Sequence, residues 1–425
     1  MFWEKLSQLW KIRDLRNNIL AVVGLLVVFR IAAHVPIPGV DATALRNFFS
    51  SNQILGLMNV FSGGGMENFS VVMLGVGPYI TASIIFQLLA MIVPKLEELS
   101  KEGEYGRQKI NMYTRWLAVP LAVLQAYGMI IMLRQSSAQI VTSLEPFRLI
   151  TTIVVVTAGT IFLMWLGELI SEKHIGNGIS LLIFVGIVTR IPTAIRNVFS
   201  TYDPAQIFNL VIFAVVAVVT IVGVVYITEA QRNIPVSYAR RVRGNRMYGG
   251  VNTYLPLRVN MAGVIPIIFA ISLILFPPMV AQFFLRVKTA WVAGAAQWVI
   301  AMFNNQWFYG IMYFVLVFGF TYFYTAVIFH PQQVAENLQK AGGFIPGIRP
   351  GFSTVEYLQK TTSRILLIGA LFLATIAVLP MALQPLTGTK ALTIGGTSIL
   401  IAVSVVIETV KQINAQLTMR DYEEL

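Results

Sequence analysis

Ten separate stretches of this chain are each apolar over the roughly 20 residues that an α-helix needs to cross a hydrocarbon layer, and no other feature constrains the fold as strongly. They fall near 17–35, 70–93, 114–133, 150–170, 178–195, 207–228, 261–284, 309–329, 364–384 and 391–410. The stretch at 178–195 is the weakest, being short and ending in Arg190 and Pro192. Composition agrees with the pattern. Of 425 residues, 56% are hydrophobic and only 12% are charged, about half the roughly 25% charge of a soluble chain. Lipid is the solvent that matches such a surface, and the expected fold is an all-α polytopic membrane protein with ten spans.

The charges orient the spans. Of the 31 Lys and Arg residues, 22 fall in the termini and in loops 94–115, 171–177, 229–258 and 330–364. Eight fall in the alternate loops, and Arg30 lies inside the first span. Lys and Arg accumulate on the cytoplasmic side, so both termini are expected there, as an even number of spans requires. The formal net charge of +12 then records membrane topology and does not call for nucleic acid. Arg30, near the outer end of its span, is read as snorkelling to the headgroups. Two inner loops are too long for tight connections: 229–258 carries Arg240, Arg241, Arg243 and Arg246, and 330–363 carries the turn-rich run GGFIPGIRPG (342–351). Anionic lipid alone accounts for their charge. Fixed turns displaying Arg349 point to a docking surface.

Several function classes lack their residues. The chain has no cysteine and three scattered histidines, which removes disulfides and the usual metal ligand sets. It has no phosphate-binding loop and no hydrolase or metalloprotease motif, so neither enzyme nor cofactor is expected. Carboxylates are nearly absent from span interiors, with Glu168 and Glu408 lying near inner ends. A coupled secondary transporter of a small solute remains the alternative, and it needs polar groups converging at the midplane. A pore that seals itself needs converging aliphatics instead.

Between the first and second spans lies GLMNVFSGGGMENFS (56–70), an apolar segment of about two turns broken by Gly63, Gly64 and Gly65. It is either an outer interfacial helix or a re-entrant half-helix folded into a central cavity, since irregular backbone at membrane depth survives only inside protein. Ten spans divide into two sets of five, 1–205 and 206–425. An odd number per half inserts the second half upside down and puts the functional path between them, giving a clamshell around a central pore.

Eight motifs in order resemble the SecY family, the large subunits of bacterial protein-conducting channels, over about residues 10–412. They are HVPIPGVD (34–41), NVFSGGG (59–65), LGVGPYITASIIFQLL (74–89), KEGEYGR (101–107), GNGISLLIF (176–184), LPLRVNMAGVIP (255–266), GFIPGIRPG (343–351) and GGTSILI (395–401). The resemblance implies a pore ring of β-branched aliphatics at Val76, Ile80, Ile179, Ile183, Ile268 and Ile401. It implies a plug at 56–66 with Asn59, Phe61, Gly63, Gly64 and Gly65 as its matching residues, and a lateral gate between spans two and seven lined by Ile84 and Phe276. It implies partner docking through Arg240, Arg241, Arg243, Arg246, Arg349, Pro350 and Gly351, although Arg243 and Asn245 are displaced from the family's usual charge placement. The implied partners are a small single-span SecE-type subunit, a SecG-type subunit, a SecA-type motor ATPase, the ribosome, signal peptides, nascent polypeptides and membrane lipid. The implied location is the bacterial inner membrane, and the implied role is export of unfolded chains and lateral release of apolar segments.

Overall fold

The computed structural model describes residues 10–38, 40–51, 59, 62–135, 145–193, 196, 207–238, 241–243, 246–248, 252–285, 287, 289–387 and 390–423. Among them, seven helices are long and apolar enough to cross a membrane. The pair Gly77–Ile92 and Pro94–Lys101, bent by 103°, supplies one more, and the shorter apolar helices Gly178–Thr193 and Ala214–Glu229 bring the set to ten. In chain order the spans are α1 (Arg13–Ala33), α3 (Gly77–Ile92), α5 (Glu104–Gln135), α6 (Pro146–Glu172), α7 (Gly178–Val188), α8 (Ile207–Glu229), α9 (Ile265–Phe284), α11 (Gln306–Ile328), α13 (Phe352–Thr387) and α14 (Lys390–Glu423). They coincide one for one with the ten apolar stretches.

Packing between spans repeats at an interval of five. Span 1 packs on spans 4 and 5, and span 6 on spans 9 and 10. Neighbouring spans 2 and 3, 3 and 4, and 4 and 5 pack together, as do 7 and 8, 8 and 9, and 9 and 10. The two sets meet where span 7 lies on spans 2 and 3, and where span 10 lies on span 5. This is the two-half clamshell, visible in the packing although the two halves show no convincing likeness in sequence. The 205/206 boundary itself lies outside the described residues.

The second span starts later than its apolar stretch. Residues 62–76 form a succession of turns and the helix begins only at Gly77. Gly63, Gly64 and Gly75 sit at φ of 67°, 85° and 60°, left-handed values that favour glycine. Two further helices lie outside the spans. α2 (Ala42–Ser51) is capped by Asp41, whose Oδ1 accepts from the Thr43 and Ala44 amides at 2.8 and 3.2 Å. The hydrogen bond from the Thr43 hydroxyl, with those from the amides, holds this carboxyl below its ordinary range. α10 (Ala290–Asn304) joins spans 7 and 8. No span is expected between 284 and 309, and its 15 residues are too few to cross a bilayer. Its exposed Trp291 and Trp298 are of the type that gathers at membrane interfaces.

The two long basic loops form one ordered unit. β1 (Gln231–Tyr238) pairs antiparallel with β4 (Asn252–Arg258) along its length, and Ser237 and Tyr238 pair with Phe344 and Gly343 of β5 (Gly343–Phe344). Ile234 and Val236 point to one face, where they join Leu257, Ala335, Ile345 and Leu358 in a separate apolar core. Ala335 belongs to α12 (Pro331–Lys340). Pro235 falls on β1 beyond the two residues that pair with β5, where no ladder hydrogen bond is demanded of its nitrogen.

Close helix contact depends on glycine, as is usual between helices in lipid. A Cβ at Gly178, the first residue of span 5, would stand 1.8 Å from the Gly167 carbonyl oxygen of span 4. A backbone atom cannot yield as a side chain can, so Gly178→Ala is expected to cost about 1–3 kcal/mol by overpacking. Thermal unfolding of the purified protein in detergent checks this. The midpoint should fall for Gly178→Ala and hold for Gly24→Ala in span 1, where a Cβ meets nothing within 4 Å.

Candidate functional site

The centre of the molecule is apolar. Val76 caps α3 and Ile80 follows one turn later, its amide bonded to the Val76 carbonyl at 3.1 Å. Pro78 in the first turn fixes the helix start. Ile179 and Ile183 lie one turn apart at the beginning of α7, which Asn177 caps by accepting from the Ser180 amide at 3.1 Å. Ile268 sits in the first turn of α9, behind a turn in which Asn260 Oδ1 accepts from the Gly263 amide at 2.9 Å. Ile401 lies on α14. Val76, Ile80, Ile183, Ile268 and Ile401 are all buried in one contiguous apolar cluster, and Ile179 packs against it. Aliphatic side chains gathered in this way can exclude water and ions and still part, being flexible.

The glycine-rich segment is buried against this cluster rather than lying on the outer surface. Asn59, Ser62, Gly63, Gly65, Met66, Phe69 and Ser70 are buried. Gly63 is packed so tightly that a Cβ would stand 2.6 Å from Phe29 of span 1 and 3.4 Å from the Gly186 Cα of span 5. Gly186 is one turn beyond Ile183, so the segment lies beside the end of span 5 that follows these aliphatics. Phe61 lies outside the described residues. The base of the segment is held by the bridge Pro36↔Ser70 and by Met66, Phe69, Met73 and Leu74. These pack with α2 and with spans 3 and 4 in a second apolar cluster.

Polar contacts fix the segment in place, and most of them were not legible in sequence. The Asn59 amide donates to Glu67 Oε2 at 2.8 Å and its Oδ1 accepts from the Glu67 amide at 3.0 Å. Arg190, at the end of span 5, forms an ion pair with the same Glu67 carboxylate. Arg30 does not snorkel outward. It donates to the Gly63 carbonyl at 2.6 Å, because an inward oxygen within reach offers a cation in an apolar span a fixed partner. The available signal was the coincidence of Arg30, Glu67 and Arg190 at the outer ends of neighbouring segments. The Arg190–Glu67 pair is about a third exposed, with side-chain values of 28% and 34%. Its worth lies between the roughly 0–1 kcal/mol of a surface pair and the roughly 3–5 kcal/mol lost when a buried pair loses one partner.

At the seam between the halves, Ile84 is buried in the central cluster, whereas Phe276 is 37% exposed. Packing there also involves residues that sequence reasoning missed. Tyr127 of span 3 stacks on Phe283 of span 7 with ring centroids 5.7 Å apart, and Gly128 makes room for Phe283 and Met279. Pro277 and Pro278 lie inside span 7, where they remove two backbone donors.

On the sheet side, Arg349 and Pro350 are exposed and Gly351 adopts φ 99°. The Arg349 carbonyl accepts from the Thr354 hydroxyl at 3.0 Å, which ties the turn to the start of span 9. Arg241 and Arg243 lie on β2 (Arg241–Arg243), with Arg243 opposite Arg246 of β3 (Arg246–Tyr248). Arg240 lies outside the described residues. No group of three or more metal-ligating side chains occurs among the described residues.

Comparisons with known proteins agree with this geometry. The sequence model of the SecY family matches residues 70–410. The protein translocase subunit SecY of Streptomyces scabiei is 44% identical over 435 residues, covering 98% of each chain. That of Mycobacterium tuberculosis H37Rv is 44% identical over 431 residues, covering 96% of each. Two solved structures share the fold at 18% identity. One belongs to work on how the SecY plug domain stabilises the closed translocation channel and maintains a membrane seal; it has a TM-score of 0.64 and covers 93% of this chain and 91% of its own. The other is Sec61 in the canine ribosome-channel complex, with a TM-score of 0.62 and coverage of 93% and 90%. With a family match across most of its length and 44% identity to full-length relatives, the chain belongs to the SecY family.

Proposed function

We propose that this protein is the pore-forming subunit of a protein translocase. In this reading it passes unfolded polypeptides across the bacterial inner membrane and releases apolar segments sideways into lipid. The observation that carries the reading is the joining of aliphatic side chains from spans 2, 5, 7 and 10 in one buried cluster directly beneath a buried, irregular segment. An exported chain brings backbone polar groups that cost several kcal/mol each if left unpaired in hydrocarbon. An hourglass with an aqueous funnel on each side removes that cost, and an aliphatic waist keeps ions from following the chain. A small-solute transporter needs polar groups at the same place, and the waist is aliphatic. Glu168, the acidic residue near the inner end of span 4, is paired with Arg115 at 2.5 Å.

The remaining roles follow from position. Residues 56–66, including Asn59, Phe61 and Gly63–Gly65, act as the plug. Spans 2 and 7, with Ile84 and Phe276, form the lateral gate through which segments leave according to their preference for lipid, about −0.5 kcal/mol for Leu against about +3 for Arg. The sheet unit docks partners. Its Arg-rich hairpin and the exposed Arg349 suit ribosomal RNA phosphates or the acidic surface of a SecA-type motor, and a similar channel is solved in complex with a ribosome. SecE-type and SecG-type subunits complete the complex, and both termini lie in the cytoplasm. Energy comes from chain elongation or from the motor, since the chain carries no nucleotide-binding loop.

Ion conductance in planar bilayers tests the plug. The intact chain is expected to be silent and a variant lacking residues 57–66 to leak. If both are silent while a small solute accumulates in proteoliposomes, the channel reading fails. Docking is tested by binding to ribosomes and to the motor. Arg349→Glu is expected to weaken at least one of them about tenfold, or about 1.4 kcal/mol, with the difference shrinking as salt rises.

A further inference from the structure

The plug segment carries charge where an apolar seal alone would need none. Glu67 is held by Asn59 from within the segment and by Arg190 from span 5. Arg30 of span 1 holds the Gly63 carbonyl at 2.6 Å. Both arginines therefore reach the same short segment, and Glu67 supplies the anion that pairs with Arg190. Both arginines belong to the first half, to spans 1 and 5. The flanking anchors belong to the same half. The Val71 amide bonds the Val35 carbonyl at 3.1 Å, and the Ile37 amide bonds the Phe69 carbonyl at 2.8 Å. Gly159 of span 4 leaves room for the Val71 carbonyl, which a Cβ there would approach to 2.0 Å. The cluster holding Met66 and Phe69 draws all its members from residues 37–156. The seam between the halves uses different residues, Tyr127 and Gly128 against Met279 and Phe283.

Resting on the channel reading, we infer that Glu67, Arg190 and Arg30 are positioning residues whose polar contacts latch the plug to the first half, so that parting the two halves and unplugging the pore are separate steps. When spans 3 and 7 move apart, the plug travels with spans 1 and 5 and the seal to ions persists. The pore opens to ions only when the Glu67–Arg190 pair is broken. The freed arginines then face the water that fills the outer funnel, which is where unpaired cations are tolerated.

The test is conductance of the full chain in planar bilayers. Glu67→Gln and Arg190→Gln are each expected to raise the closed-state current about tenfold, which corresponds to about 1.4 kcal/mol lost from plug seating. The double variant Glu67→Gln/Arg190→Gln is expected to leak no more than the leakier single, because residues acting through one contact are not additive. A merely destabilised fold would give compounding leaks. Tyr127→Ala and Phe283→Ala are expected to increase labelling of the seam by a lipid-soluble photoprobe with no rise in current. The latch is wrong if both single variants are silent while the variant lacking 57–66 leaks, or if the double variant's leak is the product of the singles. It is equally wrong if the seam variants conduct ions as readily as the plug deletion. Should the plug deletion itself stay silent, the channel reading fails and not merely the latch.

Discussion

Hydrocarbon offers no partner to a backbone amide or carbonyl, and the architecture follows from that one constraint. Ten helices satisfy their own backbone groups. The exception is residues 62–76, which run through turns beside span 1. Protein surrounds them: Ser62 to Val76 are mostly buried, and their carbonyls and amides bond one another, the 35–37 segment and Arg30. Helical spans can pack almost anywhere along a bilayer, whereas an irregular segment must have a cavity made for it. The clamshell of two five-span halves supplies that cavity, and Gly63, Gly65 and Gly159 trim it to fit.

Two kinds of interaction meet around the irregular segment. Aliphatic side chains at the waist repel water without directional demands, so they close around nothing and can yield to any sequence. They give no reason for the plug to prefer one seat, because apolar surfaces slide at little cost. The ionic and hydrogen-bonded contacts at Asn59, Glu67, Arg190 and Arg30 supply direction. Charges within a membrane are costly unless paired, so the same groups that fix the seat also make its partial displacement unfavourable until water replaces the lost partners.

The sheet side is organised on another principle. Two loops separated by spans 7 and 8 are joined by pairing β1 with β4 and with β5. They share a small core with α12 and the start of span 9. Arg349 lies beside a sheet connected directly to spans 6, 7 and 9, all in the second half. The plug's polar anchors are in the first. On the proposed reading, the molecule receives its partner on one half and holds its stopper on the other.

Sequence alone determined the ten spans, because a helix in lipid must be apolar along about 20 residues whatever its neighbours. It also determined the likeness to the SecY family, since the eight ordered motifs required no structure. Even the short stretch at 178–195 formed its helix. Tertiary structure decided everything that depends on which faces meet. Arg30 reads as a snorkelling residue until a carbonyl from 33 positions away is found beside it. Glu67 is one acid in a loop until Arg190, 123 residues on, reaches it. Val76 and Ile401 are ordinary aliphatics until the cluster unites them. The basic loops read as loops because β5 has only two residues and prolines interrupt β1 and β4, so the alternation that marks a strand was never long enough to see. Local propensity and lipid solubility are properties of a segment and can be read from it. A seal, a latch and a seam are properties of pairs of distant residues, and only the packed chain brings those pairs together.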